Sequence, residues 1–482
     1  MRRTRPIVPG LLLLGLLAAT ATAQEEGGAA KALRAGAAAS NITPPLGEPI
    51  VGGWNSPPAT HVHDELHARC LVLDDGTNKV AFVICDNVGI ARPVFDAARK
   101  LIEAETDIPG DHVLMAATHT HSATTARFKN PLVPDPELAP YSQFLARRIA
   151  DGVRRASNNL RPAEIAWGAV DVPGQVFNRR WYLKPGTPIV NPFGGQDRVQ
   201  MNPGNPDNLL EPAGPTDPQV SFLAVRAAGG GRPIALLANY SLHYVGGVPN
   251  GHVSADYFAE FAARIGKKLG AQEGLDPPFV GIMTNGTSGD VNNINFRERG
   301  KPLPPYEKVR QVAEEVASAV DGALRGVTYR PWVPVAASRR ELTLATRKPT
   351  SEQVEFARRI LAMPEGTEPK YPHVRTYAER VLQLAESPDT VSVPLQALRL
   401  GDLGIAAIPF EVFTETGLAI KKSSPFPATF TIELANGSYG YLPTPRHHAL
   451  GGYETWLGTN RVEVEASDRI ERVVLELLNG LR

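Results

Sequence analysis

The residues best placed to do chemistry are His119 and His121, in Ala117-Thr118-His119-Thr120-His121-Ser122, directly after the apolar run Val113-Leu114-Met115-Ala116. If that run is a strand, side-chain alternation sends both imidazoles to one side of its end. Two imidazoles on one rim can share a divalent metal, or one can bind metal while the other moves protons. The same placement recurs twice. Leu236-Leu237-Ala238-Asn239-Tyr240 runs into Ser241-Leu242-His243, and Ile405-Ala406-Ala407-Ile408 runs into Pro409-Phe410-Glu411. Tyr439, Tyr441 and Tyr453 surround a Gly/Pro-rich loop. Two histidines, a carboxylate and an open position are a common composition for catalytic zinc. Each residue also has a structural role open to it. His243 can be a satisfied core histidine, and Glu411 can open a helix over 412–421, where a carboxylate suits the dipole.

The elements that must position these groups alternate along the chain. Strands are expected at 68–73 and 80–85, joined by a turn at 74–78, and again at 220–225, 234–240 and 279–283. Further strands are expected at 333–345, 391–400 and 403–409, with helices over 92–106, 140–158, 255–269, 306–324 and 467–481. In 140–158, Phe144, Leu145, Ile149 and Val153 are spaced for one buried face. The segment 178–218 is polar, rich in Pro and Gly and without period, and reads as a long functional loop; 351–385 reads as a helical insert. The fold class is therefore α/β, a single large layered domain with mixed β-sheets flanked by helices.

Composition limits the partners. Among 482 residues, Lys plus Arg and Asp plus Glu are equal at 50 each, which argues against a nucleic-acid partner and leaves peripheral membrane contact and oligomeric state open. Residues 1–23 read as a signal peptide: Arg2, Arg3 and Arg5, an apolar stretch, then Ala21-Thr22-Ala23 as the cleavage site. The mature chain is expected to be exported, periplasmic or secreted, with residues 24–37 disordered and 38–482 forming the domain. Only Cys70 and Cys85 are present, facing each other across a hairpin as a bond or as two buried thiols.

A set of short landmarks runs through the chain in a fixed order. They are Asn41-Ile42-Thr43-Pro44-Pro45-Leu46-Gly47, Thr118-His119-Thr120-His121-Ser122, Phe177-Asn178-Arg179-Arg180, Asn239 to His243, and Val253-Ser254-Ala255-Asp256-Tyr257. Ser288-Gly289-Asp290-Val291-Asn292, Glu411 to Gly417, and Gly440-Tyr441 with Gly452-Tyr453-Glu454 complete them. In this order the chain resembles the catalytic domain of the neutral/alkaline, non-lysosomal ceramidase family. The resemblance implies a zinc-dependent amidase that cleaves ceramide, an N-acyl lipid, to sphingosine and fatty acid. By motif, His119, His243, Glu411 and Tyr441 correspond to the zinc ligands, with Tyr439 the competing tyrosine. His121 corresponds to a proton-exchanging histidine, and Arg179 and Tyr453 to groups facing the scissile carbonyl. Zinc would activate water, its oxyanion product would need zinc with Tyr453 or Arg179, and His121 would protonate the departing amine. Asp290 or Asp86 could hydrogen-bond a ligand histidine, each having a turn or strand-end role as its alternative.

Two departures bear on mechanism and substrate. Where the family has Gly-Asp-Val-Ser-Pro-Asn, this chain has Gly289-Asp290-Val291-Asn292-Asn293-Ile294, so a serine nucleophile is absent there and Asn292 offers an amide instead. Ser288 is the nearest substitute. The sequence also stops at Arg482, just past the catalytic-domain match, so a counterpart of the family's C-terminal β-sandwich is not expected. Alternatives to an N-acyl lipid are an ester, an N-acyl sugar or an N-acyl amino acid; a silent binding protein on the same scaffold is the third possibility.

Overall fold

An eight-stranded mixed sheet carries most of the candidate site. In chain order its strands are β1 (Leu33–Asn41), β2 (His67–Asp74), β3 (Lys79–Cys85), β4 (Val113–Ala117), β5 (Arg161–Asp171), β6 (Gln219–Ala227), β7 (Pro233–Tyr240) and β8 (Val280–Asn285). The computed structural model describes residues 31–133, 137–271, 274 and 276–482, and the elements belong to one unit, Ala32–Arg482. The expected signal peptide lies outside the described residues. The spatial order is β8-β7-β6-β5-β1-β2-β3-β4. Interior pairs are antiparallel, while the outermost pairs, β3 with β4 and β7 with β8, are parallel. Parallel neighbours need a crossover, supplied by α1 (Arg92–Glu105) between β3 and β4 and by α3 (Asp256–Lys268) between β7 and β8.

A second sheet of β9 (Val335–Ala345), β10 (Thr390–Leu400), β11 (Leu403–Ala407) and β12 (Ala428–Ile432) lies face to face with the first. Its Leu398, Ile405, Ala407, Phe430 and Ile432 share one apolar core with Leu73, Phe82, Leu114 and Leu237 of the large sheet. The other face of the large sheet is covered over one half by α1 and α2 (Pro140–Asn158), and over the other by α3 and α4 (Glu307–Leu324). The outer face of the small sheet is covered by α5 (Ser351–Ala362), α6 (Val374–Glu386), α7 (Thr414–Ser423) and, after α8 (Pro445–Leu450), α9 (Ala466–Gly480). The result is four layers, helix, sheet, sheet, helix, so the strands are apolar on both faces, as observed in β3 and β4.

The structure corrects several expectations. Residues 33–37, assigned above to a disordered segment, form the start of β1. Leu33, Ala35 and Ala37 are buried there in the core between the two sheets, while Gly36 faces α2, where a Cβ would meet Ala156 O at 2.1 Å. The segment 178–218 is not structureless: Arg180–Leu183, Val199–Met201 and Leu209–Pro212 pair into a small sheet. These strands are short and their partners are distant in sequence, so no local period announces them. Phe144 is 42% exposed, whereas Leu145, Ile149 and Val153 of the same helix are buried. Cys70 and Cys85 are buried free thiols, because Cys70 pairs with Val83 and Cys85 with Ala68 across the hairpin. Glu411 does not open a helix; it lies in the short strand Glu411–Val412, ahead of α7.

Candidate metal centre and active site

The site forms where strand ends from both sheets meet. His119 and His121 follow β4, His243 follows β7, Ser288 follows β8, Glu411 follows β11, and Glu433 and Tyr441 follow β12. Backbone hydrogen bonds tie these ends together: Ala117 N to Leu434 O (3.3 Å), Asn436 N to Met115 O (2.7 Å) and Glu433 N to Asn285 O (3.2 Å). Strand alternation is not what brings His119 and His121 together, because β4 ends at Ala117 and His119 takes a left-handed backbone (φ 72°). The turn is held by His119 N donating to Asn87 O (2.9 Å) and Thr120 Oγ1 donating to Ser254 O (2.7 Å). The Val253 to Tyr257 landmark therefore shapes histidine loops. Its Asp256 accepts from Val245 N (3.0 Å) and Gly246 N (2.8 Å), just after His243.

Three imidazole nitrogens and a carboxylate converge. His119 Nε2 lies 3.0 Å from His243 Nε2, 3.1 Å from His121 Nε2 and 3.3 Å from Glu411 Oε2. His243 Nε2 is 4.0 Å from the same oxygen. Protons can be assigned chemically. His119 Nδ1 lies 2.6 Å from Val88 O and His243 Nδ1 lies 3.1 Å from Ser288 O. A carbonyl only accepts, so each Nδ1 carries the proton, and in the neutral rings each Nε2 presents a lone pair to the centre. Glu411 Oε2 is buried and accepts no hydrogen bond. Lone pairs facing one another in a buried site repel unless a cation stands among them. Donor atoms about 2.0–2.1 Å from a tetrahedral zinc are roughly 3.3 Å apart, close to the spacings here. The residues present thus fit a divalent metal, and His119, His121 and His243 lie close enough together to share one.

Electrostatics follow from burial. Burial holds His121 and His243 well below the ordinary imidazole value. His243 has a second contact, Ser288 Oγ at 3.2 Å, and that hydroxyl donates to Glu433 Oε1 (2.7 Å). Glu433 also accepts from Val412 N (2.7 Å), so one buried carboxyl braces both the histidine and the Glu411 strand. Gly289 makes the close approach possible, since a Cβ there would stand 2.6 Å from Glu411 O.

Tyr441 is buried beside Glu411 and Arg179, whereas Tyr439 packs on Phe410 and reaches toward Ser392 O (3.5 Å). Tyr441 is the tyrosine at the centre. Tyr453 stands edge-on to Tyr441, ring centres 5.7 Å apart. His119, His121, Glu411, Tyr441 and Tyr453 all line a cavity of about 590 Å³, which leaves room for a small substrate beside the donors.

Other predicted residues lie elsewhere. Arg179 is not on the cavity wall but adjoins Tyr441: Nε donates to Glu454 Oε1 (2.8 Å), Nη2 donates to Gly289 O (2.9 Å), and the guanidinium lies 5.3 Å from the Tyr441 ring centre. It braces Tyr441. Asn292 donates to Asn202 Oδ1 (2.6 Å) and is not on the cavity wall. Asp86 is committed to Arg69 and His67 N, and Asp290 to Asn178 Nδ2 (2.9 Å) and Thr414 N (2.9 Å), so neither bonds a central histidine. Sequence reasoning missed Glu433 and Glu454. Glu433 carried a usable signal, because it directly follows the apolar strand β12, as Glu411 follows β11.

Comparison with known proteins agrees with this architecture. The profile described as neutral/alkaline non-lysosomal ceramidase, N-terminal, matches residues 33–298. The solved neutral ceramidase from Pseudomonas aeruginosa is similar in fold, with TM-score 0.68 and 16% identity over 94% of this chain and 74% of that one. A structure described as ceramidase complexed with C2 matches with TM-score 0.68 and 14% identity, over 94% of this chain and 75% of that one. At these identities the solved structures bear on fold, while the profile spans more than half of the sequence. The chain belongs to the neutral/alkaline, non-lysosomal ceramidase family.

Proposed function

We propose that this chain is a zinc-dependent amide hydrolase acting on an N-acylated compound, ceramide or a ceramide-like lipid being the substrate class its family suggests. One observation carries the proposal: the Nε2 atoms of His119 and His243 and the unpartnered Oε2 of Glu411 lie within 4.0 Å of one another, with His119 and Glu411 on the wall of a cavity. His119, His243 and Glu411 would hold the ion, with Tyr441 beside Glu411 completing the set. When bound, zinc supplies Lewis-acid polarisation of a carbonyl and a lowered pKa for adjacent water. His121, the least buried member of the trio, stacks on Tyr244 (3.7 Å between ring centres) and keeps Nε2 toward the centre, 3.1 Å from His119 Nε2. From there it takes a proton from the attacking water and returns it to the departing amine. Tyr453 presents its hydroxyl to the developing oxyanion. Asn292 has no part in this scheme, and Ser288 lies on the Nδ1 side of His243, opposite the cavity. The leader-like residues 1–23 support an exported enzyme, periplasmic or secreted.

Metal analysis of the purified chain, with amide-hydrolysis assays, tests the proposal. About one zinc per chain, lost with activity in His119→Ala, is expected. His121→Ala should keep the metal and lose turnover. A wild-type chain that takes up no metal when zinc is offered would refute it.

A further inference from the structure

The cavity is strongly basic. Its wall carries Arg127, Lys129, Arg380 and Arg461, against one acidic residue, Glu411. Glu411 faces the histidines, and among the described residues none of the four cations forms an ion pair. The contrast with other arginines is sharp: Arg147 pairs with Glu105 and Asp151, and Arg179 and Arg180 with Glu454. The unpaired guanidiniums are also gathered together. Arg380 Nη1 donates to Thr459 Oγ1 (3.3 Å) and Arg461 Nη1 to Thr459 O (3.5 Å). Arg461 Nη1 occupies the space over Gly440, where a Cβ would meet it at 2.6 Å. Burial brings Arg461 down to about 10, with repulsion from Arg380 and Arg127 adding to it. Like charges clustered in a partly desolvated pocket are unfavourable until a counter-charge arrives. Guanidinium is also the side chain best matched to planar carboxylate and to phosphate.

We propose that the substrate is an anionic N-acyl compound, whose carboxylate or phosphate seats on Arg461 and Arg380 while its amide faces His119 and Glu411. This rests on the hydrolase proposal above and narrows its substrate class, since a ceramide headgroup carries no charge.

The test is calorimetric binding to the metal-free, chelator-treated protein, so that a bound metal cannot itself attract the anion. Two matched pairs are compared: N-acetylglycine with N-acetylglycinamide, and N-acetyl-O-phosphoethanolamine with N-acetylethanolamine. In at least one pair the anion should bind about tenfold tighter or better, and which pair does so tells carboxylate from phosphate. Arg380→Gln and Arg461→Gln should each reduce that preference several-fold. Arg380 is partly exposed on α6, so its variant serves if loss of Arg461 impairs folding. Equal affinities within both pairs, no measurable binding of either anion, or a preference that survives Arg380→Gln and Arg461→Gln would overturn the inference. Anion preference without turnover by the zinc-loaded enzyme would keep Arg380 and Arg461 as an anion-binding subsite, but would refute the hydrolase proposal and with it the reading of the anion as substrate.

Discussion

Replacing Ser288 by alanine separates two roles that its place in the chain leaves open. In the structure its hydroxyl lies 3.2 Å from His243 Nδ1 and donates to Glu433 Oε1, but the carbonyl of the same residue also lies 3.1 Å from Nδ1. Ser288→Ala removes the hydroxyl and leaves the carbonyl, so His243 keeps its proton on Nδ1 and its lone pair on Nε2. The loss at the ring is one neutral hydrogen bond of two, about 0.5–1.5 kcal/mol. That converts to roughly 2- to 13-fold weaker zinc binding, below or at the bottom of the 10–100-fold range for losing an entire outer partner. Glu433 loses one donor but keeps Val412 N, at a cost of about 1–2 kcal/mol in folding stability. Zinc affinity would be read by competition with a chromophoric chelator, stability by melting in excess chelator, and kcat at saturating zinc. A modest fall in affinity and melting temperature, with kcat within about tenfold of wild type, is expected. A nucleophile behaves otherwise, its removal costing several orders of magnitude in kcat. A fall beyond about 10³-fold in kcat, with zinc affinity unchanged, would refute the bracing role and make Ser288 the reacting group.

Three further outcomes follow from the same geometry. Glu454→Gln should cost about 3–5 kcal/mol in chemical unfolding of the metal-free protein, because it strips the charge shared by buried Arg179 and Arg180; an unchanged midpoint would contradict this. Gly52→Ala should lower kcat by about tenfold or more while zinc content stays near one per chain, because Gly52 has φ 132° and a Cβ would stand 2.6 Å from His121 Cγ. Wild-type kcat in that variant would mean that the ring's position does not matter. Burial opposes the charge of Glu415, but His447 and Arg446 outweigh it and hold its carboxyl at about 2, below the unfolded value near 4.5. Its contribution is therefore complete above that unfolded value and is lost as pH falls toward the folded one, so Glu415→Gln should flatten the acid limb of the stability curve. Parallel curves for variant and wild type between about pH 5 and pH 3 would dismiss the pair.

Much of the frame was legible from local pattern. Apolar runs ending in polar groups identified β4, β7 and β11 and the residues that follow them, His119, His121, His243 and Glu411. That works because a strand buried on both faces must be continuously apolar and must deliver its polar groups at its end. Ordered landmarks identified the family and, with it, Tyr441 and Tyr453. Local pattern misled where pairing is remote: the small sheet within 178–218 has strands of three or four residues, and β1 begins in an Ala/Gly-rich stretch that resembles disorder.

What the chain's order of residues determined by itself is which side chains are available at strand ends and which layers must be buried, since periodicity and burial are local properties. Which of them meet was decided by tertiary structure alone. Two sheets packed face to face set Glu411 beside His119, more than 290 positions away. The same packing set Arg179 between Glu454 and Tyr441, and brought Arg380 from α6 to Arg461 at the cavity wall. These are contacts between residues far apart in sequence, and no spacing along one strand or helix encodes them. An equal count of acids and bases likewise hid a basic cavity, because a sum over the chain is blind to position, and only folding sorts charge in space.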